Sequence, residues 1–324
     1  MKFTFRFVYG ALMLSLITAC SNKLSPAEGN AKSKFRVLGY LASSKDWVSG
    51  INAIDLTAIT DLNLAFINPD SSGNFILNDD MKIVIQKAHA GNVRVFASIG
   101  GGSPPPWLGA LLMPETRSLF ISKIVSLAEV YNIDGIDVDI ENELINDQYA
   151  GFVYDLAAAI KPKRKLLTAA LASWNSDLIH DTTLSRYDFI NIMSYDKTGP
   201  WDTTRPGQHS PYSMVNDDFN YFNRKRNIPS DKLLIGLPFY GYGFGAGTPF
   251  GMSYKQIIAR YPGAESKDEM LTTEGATIYY NGIATIKQKT VFAKQNKASG
   301  IMIWQLLGDT TGSLSLLKAI NEVK

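Results

Sequence analysis

From Phe35 to Gln305 the chain switches repeatedly between two hydrophobic periods. Short runs rich in valine, isoleucine and leucine recur at 35–42, 62–68, 93–98, 133–141, 166–172, 188–195, 232–238 and 300–305. Runs of this length, bounded by polar or glycine-containing stretches, predict strands. Between most of them apolar residues return at helical spacing, which predicts helices over 81–90, 115–131, 147–160 and 285–295. Near-continuous apolar strands alternating with helices imply a parallel sheet covered by helices. Eight such units within residues 35–324 predict an α/β fold of the (β/α)8 TIM-barrel type, since an open sheet usually has fewer strands. Gly241 to Ser299 is more chain than one loop and one helix need. It predicts a small insertion between the seventh and eighth strands, lying over the barrel mouth as part of the same domain.

The fourth strand carries the chemistry. In Ile133-Asp-Gly-Ile-Asp-Val-Asp-Ile-Glu141 the acids Asp137, Asp139 and Glu141 alternate with Ile136, Val138 and Ile140. A strand turns successive side chains to opposite faces, so the three acids share one face. Like charges at this spacing raise one another's pKa, which points to a carboxyl group that keeps its proton at neutral pH. Asp134 breaks the parity and turns outward, as a structural hydrogen-bonding residue. In a barrel the strand C-termini form the active site. Glu141, Tyr195, Asp196, Trp304, Ser98 and Tyr40 lie in or at the ends of five different strands and can converge there.

Charge and cysteine content narrow the classes. Lys+Arg is 32 against Asp+Glu 30, and Lys2 and Arg6 account for the whole excess. No basic patch is visible, so nucleic acid is not an expected partner. His89, His180 and His209 are far apart, form no zinc signature, and read as surface or loop residues. Lys2 and Arg6 precede an apolar run from Phe7 to Ala19. Such a run suits a signal peptide and falls short of the ~20 residues that span a bilayer. The single cysteine, Cys20, closes Ile17-Thr18-Ala19-Cys20, which resembles the lipobox of bacterial lipoproteins. The expected organisation is a signal peptide over 1–19, a tether over 20–34 behind an acylated Cys20, and a catalytic barrel over 35–324. The expected location is the bacterial cell envelope, lipid-anchored at the outer membrane or otherwise secreted.

Asp134-Gly-Ile-Asp-Val-Asp-Ile-Glu141 resembles the DGxDxDxE signature of glycoside hydrolase family 18, the chitinase family. Ser98-Ile-Gly-Gly101, Met193-Ser-Tyr-Asp196, Leu237-Pro-Phe-Tyr-Gly241 and Gly300-Ile-Met-Ile-Trp304 resemble its motifs at the third, sixth, seventh and eighth strands. The resemblance implies Glu141 as general acid and Asp139 as the residue that turns toward it and orients the sugar's acetamido group. It implies Asp137 as inner partner of Asp139, held by Tyr40 and Ser98 and sharing a proton with Asp139. Tyr195 then donates to the acetamido oxygen, and Asp196 contacts the sugar beside it. Trp304 floors the distorted sugar, Met193 lines the pocket, Tyr240 contributes from the seventh strand and Trp201 stacks a leaving-group sugar. The implied reaction is hydrolysis of β-1,4 bonds in chitin or chitooligosaccharides, with the substrate's own acetamido group as nucleophile and with no cofactor or metal. The implied partner is an N-acetylglucosamine-containing saccharide.

Other readings of these residues are open. A carboxylate cluster can bind Mg²⁺ or Ca²⁺, Trp304 can be core filler, and Gly100-Gly101-Gly102 can mark a phosphate loop, though no Lys-Ser/Thr follows. An endo-β-N-acetylglucosaminidase cutting the chitobiose core of N-glycans is the nearest alternative enzyme, and a non-catalytic sugar-binding barrel the alternative from another class. Gly102-Ser103-Pro104 follows the third strand where many chitinases carry an aromatic, and the insertion is short for a processive enzyme.

Overall fold

The computed structural model describes residues 1–4, 35–42, 46–76 and 79–324. The expected signal peptide, Cys20 and tether lie outside the described residues, apart from 1–4. The barrel belongs to the unit Lys34–Lys324. Among the described residues twelve strands run in chain order: β1 Arg36–Ala42, β2 Asp61–Ala65, β3 Arg94–Gly100, β4 Gly135–Asp139, β5 Leu166–Leu171, β6 Phe189–Ile192, β7 Leu233–Pro238, β8 Tyr240–Phe244, β9 Gly251–Ser253, β10 Glu269–Leu271, β11 Thr277–Tyr279 and β12 Gly300–Trp304. The helices are α1 Trp47–Asn52, α2 Asp79–Ala90, α3 Leu108–Leu111, α4 Pro114–Val130, α5 Asp147–Ile160, α6 Asp181–Leu184, α7 Tyr212–Asn220, α8 Tyr254–Arg260, α9 Ile283–Gln295 and α10 Leu316–Asn321.

β1 to β7 and β12 close into the parallel barrel that the sequence predicts, β12 pairing with both β1 and β7. Side-chain parity divides it into two cores. Outward residues such as Val37, Leu62, Val95, Ile136, Val138, Ile140 and Ile301 join one continuous apolar layer with the helices. The inward set, with Leu38, Tyr40, Phe96, Phe189, Leu234 and Met302, fills the barrel interior. Asp137 and Asp139 therefore point inward because their neighbours are needed by the helix layer. α2, α4, α5 and α9 match the predicted helices to within two residues.

The barrel's lower end is closed by paired charges. Asp61, at the start of β2, is fully buried and meets Arg36 at 3.4 Å and Arg94 at 2.5 Å. Asp134 accepts from the Val95 N–H at 2.8 Å and lies 2.8 Å from His89 Nε2, the structural role its outward parity predicts.

The insertion after β7 is more ordered than its glycine-rich sequence suggests. β8, β9, β10 and β11 form a four-stranded antiparallel sheet in the order β10-β11-β8-β9, with α8 between β9 and β10.

Candidate active site

Asp137 is the innermost acid and is completely buried. Its Oδ2 accepts from Tyr40 Oη at 2.6 Å and Ser98 Oγ at 2.8 Å. Its Oδ1 accepts from Thr168 Oγ1 at 2.6 Å and Asn191 Nδ2 at 3.1 Å. Strand register explains three of these four contacts. Ser98 and Thr168 stand directly beside Asp137 on β3 and β5, and Asn191 enters from β6 on the same inward parity. Burial raises the Asp137 pKa, and the four donors oppose it by favouring the carboxylate.

Asp139 stands one pleat further up and is 3% exposed. Burial, then the charges of Glu141 and Asp137, push its carboxyl well above the usual carboxylate range. Its hydrogen-bond partner is Glu141, and its Oδ1 has no partner among the described residues. Asp139 thus has a carboxyl neighbour on either side along the chain, Asp137 below and Glu141 above. Asp137 already has four donors, and Glu141 brings a second carboxyl within reach. Glu141 follows β4 in extended backbone and is half-buried. Burial raises its pKa, as does the Asp196 charge, and the bond from Asp139 counteracts them.

Close backbone passage makes this packing possible. Gly100 and Gly101 end β3 with φ of +113° and +89°, a region that favours glycine. A Cβ on Gly100 would lie 2.1 Å from the Asp139 carbonyl oxygen. The Gly101 N–H donates to that same oxygen at 2.6 Å. These glycines serve strand approach, and the phosphate-loop reading is dropped.

Tyr195 and Asp196 lie past the end of β6, which stops at Ile192, three residues short of the 195 that the sequence predicts. Tyr195 is 7% exposed, and its hydroxyl points to Met302 Sδ at 3.7 Å. Asp196 adopts φ +62° and accepts from Tyr240 Oη at 2.5 Å. Trp304, the last residue of β12, meets Tyr40 edge-on at 5.3 Å and stacks on Phe66 at 5.6 Å. Its partial exposure, in the interior cluster with Met193, Tyr195 and Tyr240, sets it apart from plain core filler.

A cavity of about 810 Å³ opens beside these groups, lined among others by Glu141, Met193, Tyr195, Asp196, Trp174 and Trp201. Trp201 is half-exposed and edges against Tyr242 at 5.2 Å. Tyr40, Ser98, Tyr240 and Trp304 do not line this cavity. The first two lie beneath it as partners of Asp137, and the other two belong to the interior cluster.

Sequence reasoning missed Thr168, Asn191, Phe66, Trp174 and His209. Thr168 and Asn191 had a signal, as lone polar residues at inward positions of otherwise apolar strands. His209 had none. It is a loop residue, as expected, but completely buried rather than on the surface, because the loop folds under β8.

Among the described residues no group of three or more His, Cys, Asp or Glu is arranged to hold a metal ion. The hydroxyl and amide donors on Asp137 also occupy the oxygens a cation would need.

The chain is similar to several chitinases. The structure of the GH18 chitinase ChiB from the chitin utilization locus of Flavobacterium johnsoniae is 36% identical, with a TM-score of 0.81, covering 90% of this chain and 94% of that one. A chitinase from Bacteroides thetaiotaomicron is 28% identical, with a TM-score of 0.79, covering 89% of this chain and 96% of that one. Probable chitinase 10 of Drosophila melanogaster is 29% identical over 52% of this chain, a match that spans only 8% of that much longer protein. The model of the glycosyl hydrolases family 18 matches residues 36–309, the entire barrel from β1 past β12. The chain thus belongs to glycosyl hydrolases family 18, as a chitinase-like member.

Proposed function

We propose that this protein hydrolyses β-1,4 bonds that follow N-acetylglucosamine in chitin or chitooligosaccharides, with retention at the anomeric carbon. The observation that carries this reading is the hydrogen-bonded Asp139–Glu141 pair at the edge of the cavity. Glu141 protonates the glycosidic oxygen, its proton retained by burial until the leaving group takes it. Residues two apart along a strand line lie about 7 Å apart on one face. The usual glycosidase nucleophile instead faces the acid across the scissile bond. The 2-acetamido oxygen of the substrate fills that role. It attacks the anomeric carbon as the glycosidic bond breaks and leaves a cyclic oxazolinium ion. Asp139 orients the acetamido group and stabilises the cation, Tyr195 donates to the acetamido oxygen, and Trp304 floors the distorted sugar. Water activated by Glu141 then opens the ring.

NMR of fresh product from N-acetylchitooligosaccharides tests the mechanism, with the β-anomer expected first. Initial α-anomer, or brisk cleavage of a cellulose oligomer, overturns it. A parallel assay on a high-mannose glycopeptide separates a chitinase from an enzyme that cuts the N-glycan core, and activity on that peptide alone selects the latter.

We also infer that Cys20 is acylated and holds the enzyme at the bacterial envelope, at the outer membrane. The support is the run from Phe7 to Ala19 behind Lys2 and Arg6, ending in Ile17-Thr-Ala-Cys20. One acyl chain binds a membrane only marginally, so stable anchoring requires more than one. Wild-type protein should partition with membranes and Cys20→Ser should not. A soluble wild type with a free thiol rules the anchor out.

A further inference from the structure

His209 sits behind the cleft and has no part in the reaction just described. It is completely buried in the bend before α7. Its Nδ1 lies 3.4 Å from Oδ1 of Asp196, and its Nε2 lies 3.3 Å from the Tyr240 carbonyl oxygen. The ring packs on Tyr240 and Tyr242 with centroids 4.9 and 5.0 Å away. Both groups facing the ring nitrogens are acceptors. A neutral imidazole has one N–H and can serve only one of them, whereas an imidazolium serves both. The cation also supplies a charge that the mouth lacks. Among the described residues, the only ion-pair contact to Asp137, Asp139, Glu141 or Asp196 comes from His209.

The same bend ties down the loop that carries Trp201. The Lys197 N–H donates to the His209 carbonyl at 2.9 Å, and Ser210 Oγ donates to the Ser194 carbonyl at 2.6 Å. Behind them Lys289 of α9, completely buried, donates to the carbonyl and hydroxyl oxygens of Ser210 at 2.6 Å each and to Asn281 Oδ1 at 2.7 Å. Three acceptors match the three N–H groups of an ammonium. The groups facing His209 are therefore Asp196 from the loop after β6, Tyr240 and Tyr242 from β8, and Lys289 from α9 through Ser210. Burial, then Lys289, lower the His209 pKa, and the bond and charge of Asp196 oppose them. Burial also brings Lys289 down to about 7.

We propose that His209 is a positioning residue of the reaction. As an imidazolium bridging the Asp196 carboxylate and the Tyr240 carbonyl, it fixes Asp196 beside the sugar site and braces the base of the Trp201 loop. Loss of its proton frees one of the two contacts. The inference rests on the reading of Asp196 as a sugar contact. Its consequence is that saccharide affinity falls as pH rises through the His209 transition, which burial places on the acid side of the ordinary histidine value, whatever the state of the Glu141 proton.

The test is made in a Glu141→Gln background, which removes the titration of the acid and prevents turnover. The Kd for N-acetylchitotetraose is measured by calorimetry from pH 5 to 9 in E141Q and in E141Q/H209N. The asparagine amide can reach Asp196 in place of Nδ1 but does not titrate. E141Q should lose about five- to tenfold in affinity across this range, the weight of one ordinary hydrogen bond. E141Q/H209N should lack that step. Asp139 and Lys289 titrate in both proteins, so the difference between the two profiles isolates His209, and a step of equal size in both overturns the proposal. An E141Q protein that binds no chitooligosaccharide at any pH refutes the parent reading instead. ¹⁵N-histidine NMR of the wild-type chain decides the matter if H209N does not fold. Both His209 ring nitrogens should be protonated at the acid end of the titration, with the transition moved to still lower pH by Asp196→Asn. A His209 already neutral at pH 5 overturns the proposal.

Discussion

The two ends of the barrel treat buried carboxylates in opposite ways. At the lower end Asp61 sits between Arg36 and Arg94 and accepts a further bond from Thr60. Even so, burial raises its pKa to about 6. At the mouth Asp137, Asp139 and Glu141 rise from one strand, and among the described residues no lysine or arginine forms an ion pair with any of them. The lower end supplies cations so that a desolvated carboxylate can remain ionised. The mouth withholds them, so burial and mutual charge hold the carboxyl groups of Asp139 and Glu141 above their ordinary range, at a cost in stability as pH rises. The same residue type thus meets opposite surroundings at the two ends, and the proposed reaction draws on the end without cations.

The largest effect should come from the mouth. Glu141→Gln keeps the shape and removes the transferable proton. Turnover of chitooligosaccharide should fall about 10²–10⁴-fold, while Tm changes little. Near wild-type kcat in steady-state assays would remove Glu141 from the acid role and end the contrast between the two ends.

Trp304 and Trp201 sharpen the picture of the mouth by dividing chemistry from binding. Trp304→Ala should lower kcat by about tenfold, equivalent to ~1.4 kcal/mol. Trp201→Ala should mainly raise KM for long oligosaccharides, because stacking on the leaving side is shared by ground and transition states. The division fails if both variants change KM alone.

The lower end should respond in stability. Arg36→Met keeps much of the stem and removes one partner of Asp61, so the Asp61 pKa rises above about 6. A raised carboxyl pKa favours the neutral group in the fold, so stability is lost as pH climbs through that value. Thermal unfolding should show a deficit of about 1–3 kcal/mol at pH 8 and little at pH 4.5, with kcat of the folded enzyme unchanged. An equal deficit at both pH values would mean that packing on Phe189, not the ion pair, is what Arg36 contributes.

The smallest effect has the opposite sign. The folded-state pKa of Asp139 is raised, so its contribution is complete at low pH and is lost as pH rises. Asp139→Asn removes that loss. Its Tm should exceed that of wild type at pH 8 but not at pH 4, by roughly 2–4 °C for each kcal/mol regained, although activity collapses. A lower Tm at pH 8 would mean that the Asp139–Glu141 bond outweighs the cost of the buried charge.

Much of this was legible along the chain. The eight barrel strands, the four long helices and the inward parity of Asp137, Asp139 and Glu141 all follow from periodicity. Periodicity is local, set by which side of a strand or helix must be apolar. The outward role of Asp134 follows from the same count. The sheet of β8 to β11 was not foreseen, because its strands are short and their pairings join segments far apart in sequence, such as Tyr242 with Tyr279.

What the sequence determined by itself is the barrel, the position of the carboxylate ladder on its inner face and the family. Only the tertiary structure decided what surrounds those carboxylates, and so the direction in which each pKa moves. The register of β3, β4 and β5 sets Ser98 and Thr168 on either side of Asp137 and satisfies that acid, which leaves Asp139 to bond to Glu141. The fold of a distant loop buries His209 between Asp196 and Tyr240. Protonation depends on desolvation and on charges within a few ångströms, and those distances exist only after the strands have closed around a common axis.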